Sequence, residues 1–244
     1  MTFSVEGALA SYIQEHASVR LPDGAWHPSG LYACARKTVY AFRGTEESNP
    51  TDARTQRVFH IGHTLHAVVQ AAVASDPHVI GVYTEVAIRI PELNIIGAGD
   101  QLVQFDDKTW ELEEYKSINS MAFRYKDLPK ADHAAQVVPY LKALREHGGV
   151  ADDGRIIPPL GDGLRRARLT YLSKDDLLME EHIVHWSEAK EVDLAERVAA
   201  LEHYRTGDAL PDRLPETPNK KSGKMERNWQ CKYCSFHDLC WEAS

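Results

Sequence analysis

Residues 94–117 read NIIGAGDQLVQFDDKTWELEEYKS. Apolar residues alternate on either side of a short acidic stretch, which predicts two strands, 94–105 and 109–117, joined by a turn at Asp106, Asp107 and Lys108. Side chains two apart share a face of a strand. Trp110, Leu112, Glu114 and Lys116 therefore form one side of the second strand, where two apolar residues give way to an acid and a lysine. A three-residue turn sets Phe105 against Thr109, and counting back sets Asp100 against Glu114. A slip of one moves Asp100 only to the neighbouring position. Two carboxylates and an ammonium converge at one end of a hairpin.

Such a trio suits metal-assisted hydrolysis of a phosphodiester. Mg²⁺ typically takes one or two carboxylates with water and substrate phosphate. It polarises the phosphoryl oxygen and promotes ionisation of a bound water. Lys116 would orient that water or offset charge growing at phosphorus. For E-x-K alone the plain alternative is an exposed Glu–Lys pair, worth about 0.2–1 kcal/mol. Flanking segments add donors. VFHIGHTLHAVVQAAVAS (58–75) has helical spacing, with Ile61, Leu65, Val69 and Ala72 on one side. On it, four residues after Gly62, His66 offers a neutral imidazole as a nitrogen ligand, while His60 and His63 read as bystanders. Downstream, Gln136 and Tyr140 share one helical face, where Gln can bond a phosphate or base and Tyr can stack.

The rest of the chain supplies a frame. IGVYTEVAIRI (80–90), RLTYLS (168–173) and EEHIVHWS (180–187) read as strands. KADHAAQVVPYLKALREHGG (130–149) reads as a helix ending at Gly148 that Pro139 should kink or split. EVDLAERVAALEHYRTG (191–207) reads as an amphipathic helix stopped by Gly207, and 207–227 as an irregular surface run. Strands flanked by helices make the class α/β or α+β. The net charge of −8 weighs against non-specific nucleic-acid binding. RRAR (165–168) reads as solvated surface; Lys220, Lys221, Lys224, Arg227 and Lys232 form the better candidate for a phosphate-facing strip. With no apolar run of about 20 residues and no basic-then-apolar start, the expectation is a cytoplasmic protein without a membrane span.

Of four cysteines, three lie in NWQCKYCSFHDLCW (228–241) and the fourth, Cys34, in SGLYACARKTVY. In a reducing compartment such a set suggests metal before disulfides. Structural zinc usually draws on two close pairs, whereas Cys34 stands alone; four thiolates also suit an iron–sulfur cluster. Both remain open on spacing.

In chain order, Gly62-x-x-x-His66, GAGD at Asp100, EYK at Glu114–Lys116, QVVPY at Gln136–Tyr140 and the C-x2-C-x5-C ending resemble the RecB-type branch of the PD-(D/E)XK nuclease superfamily. The chain looks most similar to its single-domain iron–sulfur members, the CRISPR-associated RecB-like exonucleases and related viral and repair exonucleases. The resemblance runs from about residue 28 to 240, with Gly99–Asp100 in place of the usual Pro–Asp. It implies a restriction-endonuclease-like α/β core, a mixed central sheet flanked by helices. Residues 1–244 would form one nuclease domain with its core at about 55–206. His66, Asp100, Glu114 and the carbonyl of Tyr115 would bind Mg²⁺ or Mn²⁺, Lys116 would be catalytic with Asp100 and Glu114, and Gln136 and Tyr140 would contact DNA. Cys34, Cys231, Cys234 and Cys240 would ligate a [4Fe–4S] cluster, with zinc the alternative, stapling the C-terminal cysteines to the N-terminal region and adding ligation energy to folding.

The function so implied is a metal-dependent DNA exonuclease acting on single strands or DNA ends, in recombination, repair or CRISPR spacer acquisition. No G-x-x-x-x-G-K-[ST] occurs, so a helicase, recombinase or CRISPR adaptation partner would be a separate chain. Two other readings are a non-catalytic nucleic-acid-binding adaptor with a four-cysteine metal site and a nuclease-like fold, and a zinc-stapled hydrolase acting on something other than DNA.

Overall fold

The computed structural model describes residues 4–15, 23–125, 127–219 and 222–242; Lys220 and Lys221 of the basic strip lie outside them. In chain order come α1 (Val5–Glu15), α2 (Pro28–Leu31), α3 (Ala35–Phe42), α4 (Ala53–Ala74), β1 (Val79–Ile90), β2 (Ile95–Phe105), β3 (Trp110–Ile118), α5 (Ser120–Tyr125) and α6 (Ala131–Glu146). The two-residue strands β4 (Gly149–Val150) and β5 (Ile156–Ile157) follow, then β6 (Leu164–Ser173), β7 (Met179–His185) and α7 (Glu188–Glu202). One seven-stranded sheet runs β5-β4-β1-β2-β3-β6-β7, antiparallel except at β3–β6. Among the described residues no helix is long and apolar enough to cross a membrane.

The hairpin has the expected register: Gln101 pairs with Glu113 and Gln104 with Trp110. Its turn closes with Phe105 N–H donating to Thr109 O at 3.0 Å, and Lys108 takes the left-handed φ of 69° that three-residue hairpin loops demand.

The sheet has two unequal covers. On one face α6 buries Val137, Val138, Leu141 and Leu144 against Leu112, Leu169 and Tyr171, joined by Leu194 and Val198 of α7. On the other, α4 meets Tyr115 and Leu172 through Val69 and Val73. Trp26, 1% exposed, stacks on Phe42 at 4.0 Å and donates its indole N–H to Glu202 at 2.7 Å. The C-terminal segment is tied to the region before α4: Asn49 N–H donates to Ser235 O at 2.8 Å, and the Asn49 amide donates to Asp238 at 2.9 Å.

Four expectations need correction. Pro139 does not split its helix, which runs unbroken from Ala131 to Glu146. An interior proline costs about 3 kcal/mol, but each buried Val or Leu contributes roughly 1.5–3, and α6 buries four. The inward stripe of α4 is Gly62, His66, Val69 and Val73; Ile61 and Ala72 are exposed. Gly62 is the reason, because a Cβ there would meet Ser117 Oγ at 2.8 Å, so the helix lies close on β3 along its glycine side. RRAR is no plain surface: Arg168 donates to fully buried Glu111 at 2.7 and 2.9 Å and to Glu181 at 2.7 Å. Finally, α7 ends at Glu202, with Gly207 in the loop beyond, and residues 207–227 include a small hairpin pairing Thr217–Pro218 with Met225–Glu226.

The glycines of GAGD are packing positions. A Cβ on Gly97 would meet the Pro28 ring at 2.8 Å and Tyr140 at 3.3 Å, and one on Gly99 would meet Leu112 at 3.1 Å. A rigid pyrrolidine cannot rotate away, so Gly97→Ala is expected to lower Tm by about 5 °C, reflecting roughly 1–3 kcal/mol of overpacking. Calorimetry checks this; an unchanged Tm would contradict the close approach of α2 to β2.

Candidate active site

The β2–β3 pairing ends at Gln101–Glu113, although both strands continue along their other neighbours. Where the pairing stops, a side chain takes the place of a main-chain acceptor: Asp100 Oδ2 accepts from Tyr115 N–H at 2.7 Å. A residue's N–H and C=O leave a strand on the same edge, so the Tyr115 carbonyl also looks into the gap between β2 and β3.

His66 approaches from α4, its Nδ1 3.8 Å from Asp100 Oδ2. Burial, reinforced by His63 and Lys116, pushes its pKa down to about 4, so the ring is neutral at neutral pH. Its Nε2 is buried without a hydrogen-bond partner among the described residues, as is Glu114 Oε2. The other oxygen, Glu114 Oε1, accepts from Lys116 Nζ at 2.7 Å and from the Gln136 amide at 3.0 Å. Gln136 Oε1 in turn accepts from Lys116 at 2.9 Å. Burial and the neighbouring Glu114 push the Asp100 carboxyl well above the usual range.

The structure thus brings His66, Asp100, Glu114, Tyr115 and Lys116 together. Gln136 and Tyr140 lie beneath them, 8% and 4% exposed, and Gln136 touches Glu114 and Lys116. The donor atoms of His66, Asp100 and Glu114 do not all fall within 4.8 Å of one another; Lys116 and Gln136 draw Glu114 aside. The residues still fit a divalent cation chemically, since two carboxylates, a neutral imidazole and a carbonyl are hard or borderline donors and two of the buried donor atoms lack partners.

Two residues of this site escaped the sequence reading. Gln70, one turn beyond His66, donates to the Asp100 carbonyl at 2.8 Å. Extending the helix face by four residues would have found it. Glu85 lies inside β1 with a φ of 45°, a conformation costing roughly 1–2 kcal/mol outside glycine. Partial burial of its carboxyl raises its pKa.

Elsewhere, Glu92, Glu146 and His147 form an exposed cluster whose ligand atoms lie within 4.8 Å. Lys142 already bridges its two carboxylates, 3.6 Å from Glu92 and 2.6 Å from Glu146. All four cysteines are free of disulfides and line one small cavity, with Lys37 and Arg213 in its wall.

A family model of the PD-(D/E)XK nuclease superfamily matches residues 7–241. The chain belongs to that superfamily. PD-(D/E)XK nucleases use divalent metals such as Mg²⁺ or Mn²⁺, in keeping with the donor set above. Among solved structures, SSO0001 is 21% identical over 97% of this chain and 95% of that one, with a TM-score of 0.56. The alkaline exonuclease LHK-Exo from Laribacter hongkongensis is 14% identical over 75% and 88%, at 0.47. LHK-Exo in complex with dAMP is 17% identical over 82% and 91%, at 0.49. No curated protein matches in sequence. The likeness to SSO0001 is one of fold, and it spans nearly the whole PD-(D/E)XK chain.

Gln136 offers a test of how this site is supported. Its contacts are with Lys116 and Glu114, so Gln136→Leu is expected to lower the kcat of nuclease activity roughly 10–100-fold with KM little changed. A raised KM at unchanged kcat would make Gln136 a substrate contact instead.

Proposed function

We propose that this chain is a metal-dependent DNA exonuclease acting on single strands or DNA ends. The observation that carries it is the meeting of Asp100, Glu114 and Lys116 at the parted β2–β3 strands, beside a neutral His66 whose Nε2 has no hydrogen-bond partner among the described residues. Asp100, Glu114, His66 Nε2 and the Tyr115 carbonyl would hold the cation. When bound, the ion supplies Lewis-acid polarisation of the phosphoryl group and a lowered pKa for its water.

The chain's own residues do the rest. Lys116, fixed between Glu114 and Gln136, presents an ammonium that orients the attacking water and offsets charge growing on the phosphoryl oxygens. Tyr115 N–H keeps Asp100 aimed into the gap. Exposed Phe59 and Tyr125, on α4 and α5, offer stacking surfaces for unpaired bases, which favours single strands or frayed ends.

We read residues 1–244 as one nuclease domain, with Cys34, Cys231, Cys234 and Cys240 ligating a [4Fe–4S] cluster. The fit rests on four free thiols around one small cavity, the complement of thiolates that such a cluster takes. Recombination, repair or CRISPR spacer acquisition would be the setting, with a helicase, recombinase or CRISPR adaptation protein as partner.

The test is cleavage of end-labelled single-stranded DNA by anaerobically prepared protein with Mn²⁺, alongside Lys116→Ala and an iron, sulfide and zinc assay. Loss of label with wild type, a decrease of 100-fold or more in the variant, and about four irons per chain are expected. Equal activity of the two proteins would overturn the catalytic assignment, and zinc in place of iron would overturn the cluster. A folded wild type that binds DNA without cutting it would favour the adaptor.

A further inference from the structure

A second lysine reaches the rim of the site. Lys174 follows the last residue of β6, and its backbone N–H donates to Ile118 O at 2.8 Å, carrying the β3–β6 pairing one step further. Its side chain then crosses to α4, where Nζ donates to Val58 O at 2.9 Å on the exposed edge of the layer. Gly62 permits this approach: a Cβ there would lie 3.5 Å from Lys174 Nζ and 2.8 Å from Ser117 Oγ. His66 stands one turn further along the same helix, and the charges of Lys116 and Lys174 both lower its pKa. Two ammoniums thus act on one imidazole.

Their surroundings differ. Lys116 is paired with Glu114 at 2.7 Å. The two acids beside Lys174 in sequence turn instead to α5: Asp175 accepts from Ser120 N–H at 2.8 Å, and Asp176 pairs with Arg124 at 3.1 Å. Lys174 is half-buried, and burial lowers its pKa with no carboxylate among the described residues to offset it. An ammonium has three N–H donors, and the Val58 carbonyl takes one of them. A cation held at this cost, with donors to spare, suits an anion that arrives with the substrate. The next residue along α4 is Phe59, 56% exposed. An ammonium beside an aromatic ring is the combination that holds unpaired strands, through phosphate and base together.

We propose that Lys174 binds a backbone phosphate of the DNA strand next to the scissile one and so sets the register of the strand on the site. The inference rests on the nuclease reading of Asp100, Glu114 and Lys116. Such a contact positions the strand without reading its sequence.

Binding of short single-stranded oligonucleotides tests it. Fluorescence anisotropy gives Kd over a range of KCl, with Ca²⁺ in place of Mn²⁺, for wild type, Lys174→Met, Lys174→Gln and Lys174→Arg. The oligonucleotides are an oligo-dT and a mixed sequence, each with a 5′-hydroxyl or a 5′-phosphate. Lys174→Met and Lys174→Gln are expected to bind about 10-fold more weakly, with a log–log salt slope shallower by about 0.7, equally for all four strands. Lys174→Arg should keep the wild-type slope. In cleavage with Mn²⁺ the two neutral variants should raise KM by a similar factor with kcat little changed. Gln retains a donor for the Val58 carbonyl, so wild-type binding by Lys174→Gln would make the lysine a mere anchor for α4 and overturn the inference. Unchanged Kd and slope in Lys174→Met would overturn it too, as would a loss confined to 5′-phosphorylated strands. Those three results leave the nuclease reading in place if wild type cuts DNA. A wild type that neither binds nor cuts these strands would overturn both.

Discussion

One hydrogen bond organises the site. Asp100 uses a carboxylate oxygen to accept the Tyr115 N–H, at the point where a strand carbonyl would otherwise do so. A charge-assisted bond of this kind contributes about 1.5–3 kcal/mol, so it offsets the ladder pairing that β2 and β3 forgo beyond Gln101 and Glu113. The parting of the two strands opens a gap edged by a carboxylate and a carbonyl. The chemistry follows from a local exchange of one acceptor for another.

Everything packed around that gap holds it in shape. Gly62 lets α4 lie close on β3, which brings His66 within 3.8 Å of Asp100 and puts Gln70 on the Asp100 carbonyl. Gln101 ties the layers further: its Oε1 accepts from Tyr115 OH at 2.7 Å, and its amide donates to Gln70 O at 3.1 Å. From the opposite face, α6 supplies Gln136 to the Glu114–Lys116 pair, and Gly97 and Gly99 leave room for the Tyr140 ring beneath. Donors thus arrive from both sides of one sheet. Buried polar networks of this sort specify a geometry well only when nearly every atom is satisfied, and among the described residues His66 Nε2 and Glu114 Oε2 are the atoms of this network left without a partner.

Much of this was legible in the sequence because period-two alternation and a turn of fixed length leave little freedom. Asp106-Asp107-Lys108 set the register that opposes Asp100 and Glu114, and the spacing of Gly62 and His66 placed an imidazole on the facing helix. What was hidden depends on tertiary contact. The alternation of IGVYTEVAIRI gives no sign that Glu85 adopts a φ of 45°. Pro139 argued for a break that the burial of its neighbours overrides. Arg168 read as solvated until β3 placed Glu111, 0% exposed, beside it. Gln136, read as a nucleic-acid contact, is buried against Glu114 and Lys116, because helical spacing fixes which residues share a face and not which face is covered.

The most direct test is anomalous scattering from crystals grown with Mn²⁺. The account expects a manganese peak between β2 and β3, with Asp100, Glu114, His66 Nε2 and the Tyr115 carbonyl each at about 2.1 Å and Glu114 swung toward Asp100. A gap without manganese, or manganese bound only at Glu92, Glu146 and His147, would contradict it.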